Sequence, residues 1–430
     1  MEGGTGEDRL TAARGGRPLA GALGHPVPLE RARAFWVARQ GLASPQEGSL
    51  HDVVARTGWL RTLGGADVYL ALRARVPGVS RAAVDAESAA LRLRVVPAAR
   101  GCIYLVPEAH VPLALRVAEA SWRPRTEREV GKAGASWKEV EACAAAIVSA
   151  LDAPATTDAL RRALPAGALR SLGEAGKKVG ISSLLPIALR LLELEGKVER
   201  TLEGGRLDSE RYLWRRAKKN VLASAKVPSS PSARNAELLR LFLSWSGPAT
   251  PKELAAWSGL SLAEVRAAAA LLDPVTVDVE GHAGDALLLP GDEEALLGVR
   301  EPATVRLLSF EDNLLAAHGG PGVLVAPEDR DRSVESWGSS RPSTLGSAAH
   351  LARRTVLAGR TLAGFWELDA DGGRVVTSLF RRLSRKEADA LERLSGETAR
   401  FLLDEVGHGR SFSLDTDENV RERARALTPS

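Results

Sequence analysis

Two cysteines, Cys102 and Cys143, are all that the 430-residue chain contains. Both sit in apolar surroundings without metal-ligand spacing, which argues against a disulfide scaffold and a zinc finger and reads as core thiols. Seven histidines are scattered without paired spacing, so no metal set is expected, and no cofactor either. No run approaches the ~18 apolar residues of a membrane span. Residues 1–10 lack the basic-then-apolar order of a secretory leader. These absences predict a cytoplasmic protein with no membrane contact, and the lack of a helix suited to symmetric pairing predicts a monomer. With 44% hydrophobic residues, the chain can build about three or four modest domains.

What is present is a recurring unit of helix, tight turn, amphipathic helix and two short strands, the pattern of a winged helix. The clearest copy spans 233–290. Its first helix stops at Ser246-Gly247-Pro248, Thr250 caps a second with Pro251 at its first position, and Gly259 and Ser261 turn the chain into a helix over 262–272. Strands at 275–280 and 286–289 form the wing. A second copy has helices at 136–151 and after Thr156-Thr157, a recognition helix at 182–195, and strands at 197–202 and 207–214 around Glu203-Gly204-Gly205. A third, nearest the N-terminus, has helices at 29–40, 50–57, 69–74 and 81–91, then paired strands at 95–97 and 103–106.

Charge is unevenly spread. The whole chain nets only +4, yet residues 160–220 hold 14 Lys/Arg against 7 Asp/Glu, and residues 271–340 hold 14 acids against 4 bases. Nucleic-acid affinity depends on where cations cluster, so the middle copy is the expected DNA-facing part and the acidic stretch is expected to face away.

Several segments, in order, resemble the tandem winged-helix DNA glycosylases of the AlkZ and YcaQ type. They are Tyr69-Leu70-Ala71-Leu72-Arg73-Ala74-Arg75, Arg100-Gly101-Cys102-Ile103-Tyr104-Leu105-Val106-Pro107, Gly247-Pro248-Ala249-Thr250-Pro251 with Trp257-Ser258-Gly259-Leu260, and Leu307-Leu308-Ser309-Phe310-Glu311-Asp312. The resemblance implies an α+β chain: tandem winged helices around a DNA channel, then a C-terminal β-rich domain. Strands expected at 305–308, 322–325, 354–357, 360–368 and 374–380, with a terminal helix at 384–406, suit that plan. The expected division is a disordered tail to 28, winged helices at 29–135, 136–225 and 226–297, and the β-rich domain from 298.

The chemistry implied by the resemblance is removal of an N-alkylated purine, including from interstrand crosslinks, by water attack at the deoxyribose C1′. In that family a Gln-x-Gln or Gln-x-Asp pair orients the water. Here its positions fall on Arg61, Thr62 and Leu63; arginine only donates and leucine does neither. Asp67, four residues on, is the catalytic candidate, either reaching the cleft around Gly64-Gly65 or merely capping a helix. Arg61 reads as a phosphate or minor-groove contact, or as a salt bridge. Trp59 reads as core, or as a wedge between bases.

Other DNA-binding candidates are Arg73 and Arg75 in the first copy. In the second, Arg170, Lys177, Lys178 and Ser182 mark a phosphate cradle or a solvated loop that is not a Walker A motif. Arg200, Arg206, Arg211 and Arg215 line its wing. The expected partner is double-stranded DNA, alkylated or crosslinked. The expected function is that of a repair-glycosylase-like DNA binder, with a non-catalytic regulator or lesion sensor as the alternative.

Overall fold

Short hydroxyl side chains start many of the helices: Ser49, Ser80, Ser136, Thr156, Ser230, Thr250, Ser261, Ser384 and Thr416 each accept a bond from a first-turn N–H. Each such cap stabilises its helix by about 1 kcal/mol. At Ser136, Thr250, Ser261 and Ser384 a glutamate three residues on bonds back to the cap's own N–H. The computed structural model describes residues 25–428 apart from 224, 283 and 340.

Three stretches repeat one order: helix, short strand, two helices, hairpin. The first comprises Leu50–Thr57, Leu60–Arg61, Asp67–Arg75, Arg81–Ala89, Leu93–Pro97 and Ile103–Pro107. The second comprises Trp137–Ala150, Ala155–Thr156, Thr157–Ala163, Leu185–Leu194, Val198–Leu202 and Tyr212–Arg216, with an extra short helix, Gly173–Lys178. The third comprises Pro231–Ser246, a single bridge at Ala249, Pro251–Ser258, Leu262–Ala269, Val275–Val277 and Ala286–Leu288. In all three the first strand pairs with the last, so the hairpin's second strand is central.

The C-terminal sheet runs antiparallel in the order Arg374–Leu379, Thr361–Asp369, Arg354–Ala358, Val305–Leu308. Helix Arg385–Arg400, its π-type continuation Phe401–Val406 and helix Asp417–Arg425 cover it. Tyr69, Leu72, Leu93 and Leu105 share one core with Val305, Trp366 and Leu402, so the first unit is fused to this sheet.

Several expectations are corrected. Helix Leu29–Arg39 does not belong to the first unit: Ala32, Phe35, Trp36 and Val37 pack with the third unit's hairpin, and the Trp36 indole donates to the Pro248 carbonyl. Of the expected disordered tail, 1–24 lies outside the described residues. Val27, by contrast, is 1% exposed and bridges to Val279. Residues 322–325 are no strand; Pro321–Leu324 is a 3-10 turn, where a Cβ on Gly322 would come within 2.3 Å of the Gly346 carbonyl. Helix Val111–Lys132 escapes the sequence reading because its apolar residues crowd its first two turns, while its second half is stitched by Arg123–Glu127 and Arg125–Glu129. Among the described residues no helix is long and apolar enough to cross a membrane.

Candidate functional site

The turn carrying Arg61, Thr62 and Leu63 leaves the first unit's short strand, where Leu60 and Arg61 pair with Leu105 and Tyr104. Arg61 Nη1 donates to Glu311 Oε2 at 2.5 Å, and His350 Nδ1 lies 2.9 Å from the other oxygen, Oε1. The Glu311 side chain is 6% exposed, whereas those of Arg61 and His350 remain in contact with solvent. Glu311 adopts φ +58°, a left-handed conformation costly for a non-glycine residue, and that geometry accompanies the carboxylate's placement at Arg61. Of the two readings of Arg61, the salt bridge is the observed one.

A strap from the C-terminus roofs the same turn. Ser413 N–H donates to the Leu63 carbonyl at 2.9 Å and Ala66 N–H to the Arg410 carbonyl at 2.7 Å. Only glycine fits beneath it: a Cβ on Gly65, at φ +81°, would stand 2.6 Å from both Arg410 O and Phe412 N. Phe310, Trp337 and Phe412 form an aromatic cluster beside the turn.

Asp67 does not reach this site, which corrects both readings of it. Its carboxylate takes two donors from Arg354, with Nε at 2.9 Å, and the Phe310 N–H at 2.6 Å. The helix begins at Asp67 itself, behind Ala66, and has no side-chain cap. Burial pushes the Asp67 carboxyl up to about 6 against the pull of Arg354 and the Phe310 N–H, and the bonds it accepts join the first unit to the C-terminal sheet. Trp59 is core: its indole donates to His110 Nδ1, and Tyr104, Trp245 and Trp257 surround it. Burial lowers His110, in keeping with a neutral ring accepting at Nδ1.

The expected DNA contacts divide sharply. Arg75 is fully buried against Asp312, and Arg200 is buried against Glu193, so neither can meet phosphate in this fold. Arg73 donates to the Val79 carbonyl and lies over the Phe401 ring. Arg215 pairs with Glu199, which also holds Arg94. Arg206 pairs with Asp208 and donates to the Val406 carbonyl, while His408 sits on Asp208 at 2.9 Å. The wing of the second unit is therefore docked on the C-terminal segment, and Leu207 N–H donates to the Tyr69 hydroxyl.

Arg170 and Lys177 are exposed with local partners, Gly134 and Glu139 for the first and Glu174 for the second. Lys178, Ser182 and Arg211 are exposed, and Lys178 and Arg211 make no ion pair among the described residues. The segment expected as a cradle is the short helix Gly173–Lys178, and Ser182 does not cap the next one, which begins behind Leu184. The group that sequence reasoning missed is Glu311 with His350. Its one visible sign was that Glu311 lies in the segment Leu307–Asp312 already marked by resemblance. Among the described residues no group of three or more His, Cys, Asp or Glu side chains is arranged to hold a metal ion.

A family model described as DNA glycosylase AlkZ-like matches residues 54–401. Among solved structures the chain is similar to the Streptomyces sahachiroi DNA glycosylase AlkZ, with a TM-score of 0.66 and 22% identity over 88% of this chain and 97% of that one. At that identity the likeness is one of fold. No curated protein sequence matches.

Proposed function

Starting from the chain's membership of the AlkZ-like DNA glycosylase family, we propose that it acts on N-alkylated purines in duplex DNA, crosslinked ones included, as a cytoplasmic, nucleoid-associated monomer. The observation that carries this reading is Glu311, a carboxylate set in a left-handed backbone conformation at the turn where the family's water-holding pair falls. Each of its oxygens accepts one bond, from Arg61 or His350, and keeps a second lone pair for a water. In the proposed step that water attacks C1′ and gives its proton to Glu311. The glycosidic bond breaks with its electron pair leaving on the base, which a cationic alkylated purine accepts readily. Negative charge at Glu311 opposes the positive charge that develops on the sugar.

The test is single-turnover excision from a duplex carrying one N7-alkylguanine, with binding read in the same samples. Glu311→Gln should cut the rate on the order of 100-fold or more while leaving binding intact; an unchanged rate would sink the assignment. A second reading, a lesion binder without chemistry, is favoured by the Arg61 ion pair, which neutralises the same carboxylate. It predicts wild-type binding with no excision.

A further inference from the structure

We propose that Trp337 is a stacking platform for an unpaired DNA base, placed beside the Arg61–Glu311–His350 site; this rests on the DNA-binding reading above. Trp337 is 40% exposed, unusual for so large an apolar side chain, and it is not loose. Its ring is flanked by Phe310 at 4.9 Å and Phe412 at 4.6 Å between centroids, both at 71°. Two steeply inclined rings fix its orientation without covering it, so little rotamer entropy remains to be lost when a flat partner arrives. Leu414, two residues beyond Phe412, is 85% exposed.

This cluster is joined to the chemical site through backbone at three points. Trp337 N–H donates to the carbonyl of His350, Phe310 directly precedes Glu311, and Ser413, next to Phe412, holds the carbonyl of Leu63. Trp337 lies in the acidic stretch 271–340 that charge alone would turn away from DNA, but the same loop carries the exposed Arg341, a cation suited to the phosphate that accompanies any base, and this favours a base over a protein side chain as the occupant. A base lifted from the helix loses its stacking partners, and an aromatic face restores one of them.

The experiment is fluorescence anisotropy with two labelled duplexes, one fully paired and one with a single unpaired adenine. The proteins are wild type, Trp337→Phe and Trp337→Ala, each checked for an unchanged melting midpoint. Wild type should prefer the bulged duplex on the order of tenfold or more. Trp337→Ala should lose that preference with paired-duplex affinity unchanged, and Trp337→Phe should keep part of it. Tryptophan fluorescence quenched by the bulged duplex in wild type should be absent in Trp337→Ala. Equal binding of both duplexes by wild type, or a preference retained in Trp337→Ala, overturns the platform and leaves the DNA-binding reading standing. Failure to bind either duplex overturns both.

Discussion

Replacing Arg75 by methionine separates a structural arginine from a DNA-binding one. Arg75 is 0% exposed, and its Nη1 and Nη2 donate to the two oxygens of Asp312 at 2.9 and 3.0 Å, with further bonds to the Ala71 carbonyl and Gln40 Oε1. Methionine fills much of the space but strands the Asp312 carboxylate, itself wholly buried and left with only the Leu314 N–H and a long contact to Ser309. Breaking a buried pair from one side costs about 3–5 kcal/mol. The double variant Arg75→Met with Asp312→Asn removes the stranded charge and keeps an acceptor for Leu314, so it should recover part of the loss. Urea unfolding followed by tryptophan fluorescence measures this. DNA binding at several salt concentrations, on folded protein, should give the wild-type slope. A loss below about 1 kcal/mol, or a salt slope reduced by about 0.9 in a fully stable variant, would refute the reasoning.

Other perturbations test other parts of the fold. Gly65→Ala should lower the melting midpoint and loosen the C-terminal strap, since the methyl meets backbone atoms at 2.6 Å that cannot swing aside; limited proteolysis near residues 410–413 reads it. Arg306 is 8% exposed with Nε and Nη2 unpartnered, so Arg306→Met should leave the midpoint unchanged or raise it, checked by calorimetry. Charge removal at Lys178 and Arg211 together should reduce the salt slope of DNA binding by up to about 1.8 without changing stability. Burial would raise the Glu253 carboxyl, but His282 at 3.0 Å and His318 at 3.6 Å outweigh it and hold it well below the usual range. A depressed carboxyl contributes stability that is full above its unfolded value of about 4.3 and is lost as pH falls toward the folded one. Glu253→Gln should therefore lose less of its melting midpoint than wild type between about pH 6 and pH 3.

Local chemistry was legible wherever partners are near in sequence. The Thr250 cap and the turn at Gly259 and Ser261 are each specified within a few residues, and the third unit follows the sequence reading closely. The site was less legible because its partners are remote. Arg61 meets Glu311 across 250 positions, Arg75 meets Asp312 across 237, and Asp67 meets Arg354 across 287. No periodicity encodes such a pairing, and nothing in the residues around Glu311 signals its backbone conformation. The resemblance pointed to the turn at Arg61–Leu63, and it is the fold that brings the Glu311 carboxylate to Arg61.

The basic excess of the second unit shows why a net charge and the residues that carry it have to be read separately. Ion pairing removes acids and bases in equal numbers, so an excess of seven cations over residues 160–220 survives any pairing inside that window. What pairing decides is which cations carry it. Arginine's fork matches a carboxylate in two places and tolerates burial, so Arg200, Arg206 and Arg215 are drawn onto Glu193, Asp208 and Glu199. Lysine is more strongly hydrated and stays outside: Lys178, Lys218 and Lys219 are exposed and unpaired among the described residues, as is Arg211. A wing rich in arginine is thus the part most easily captured by its own protein, as its docking on Val406 and His408 illustrates. The cations left to meet phosphate are the ones that no carboxylate holds.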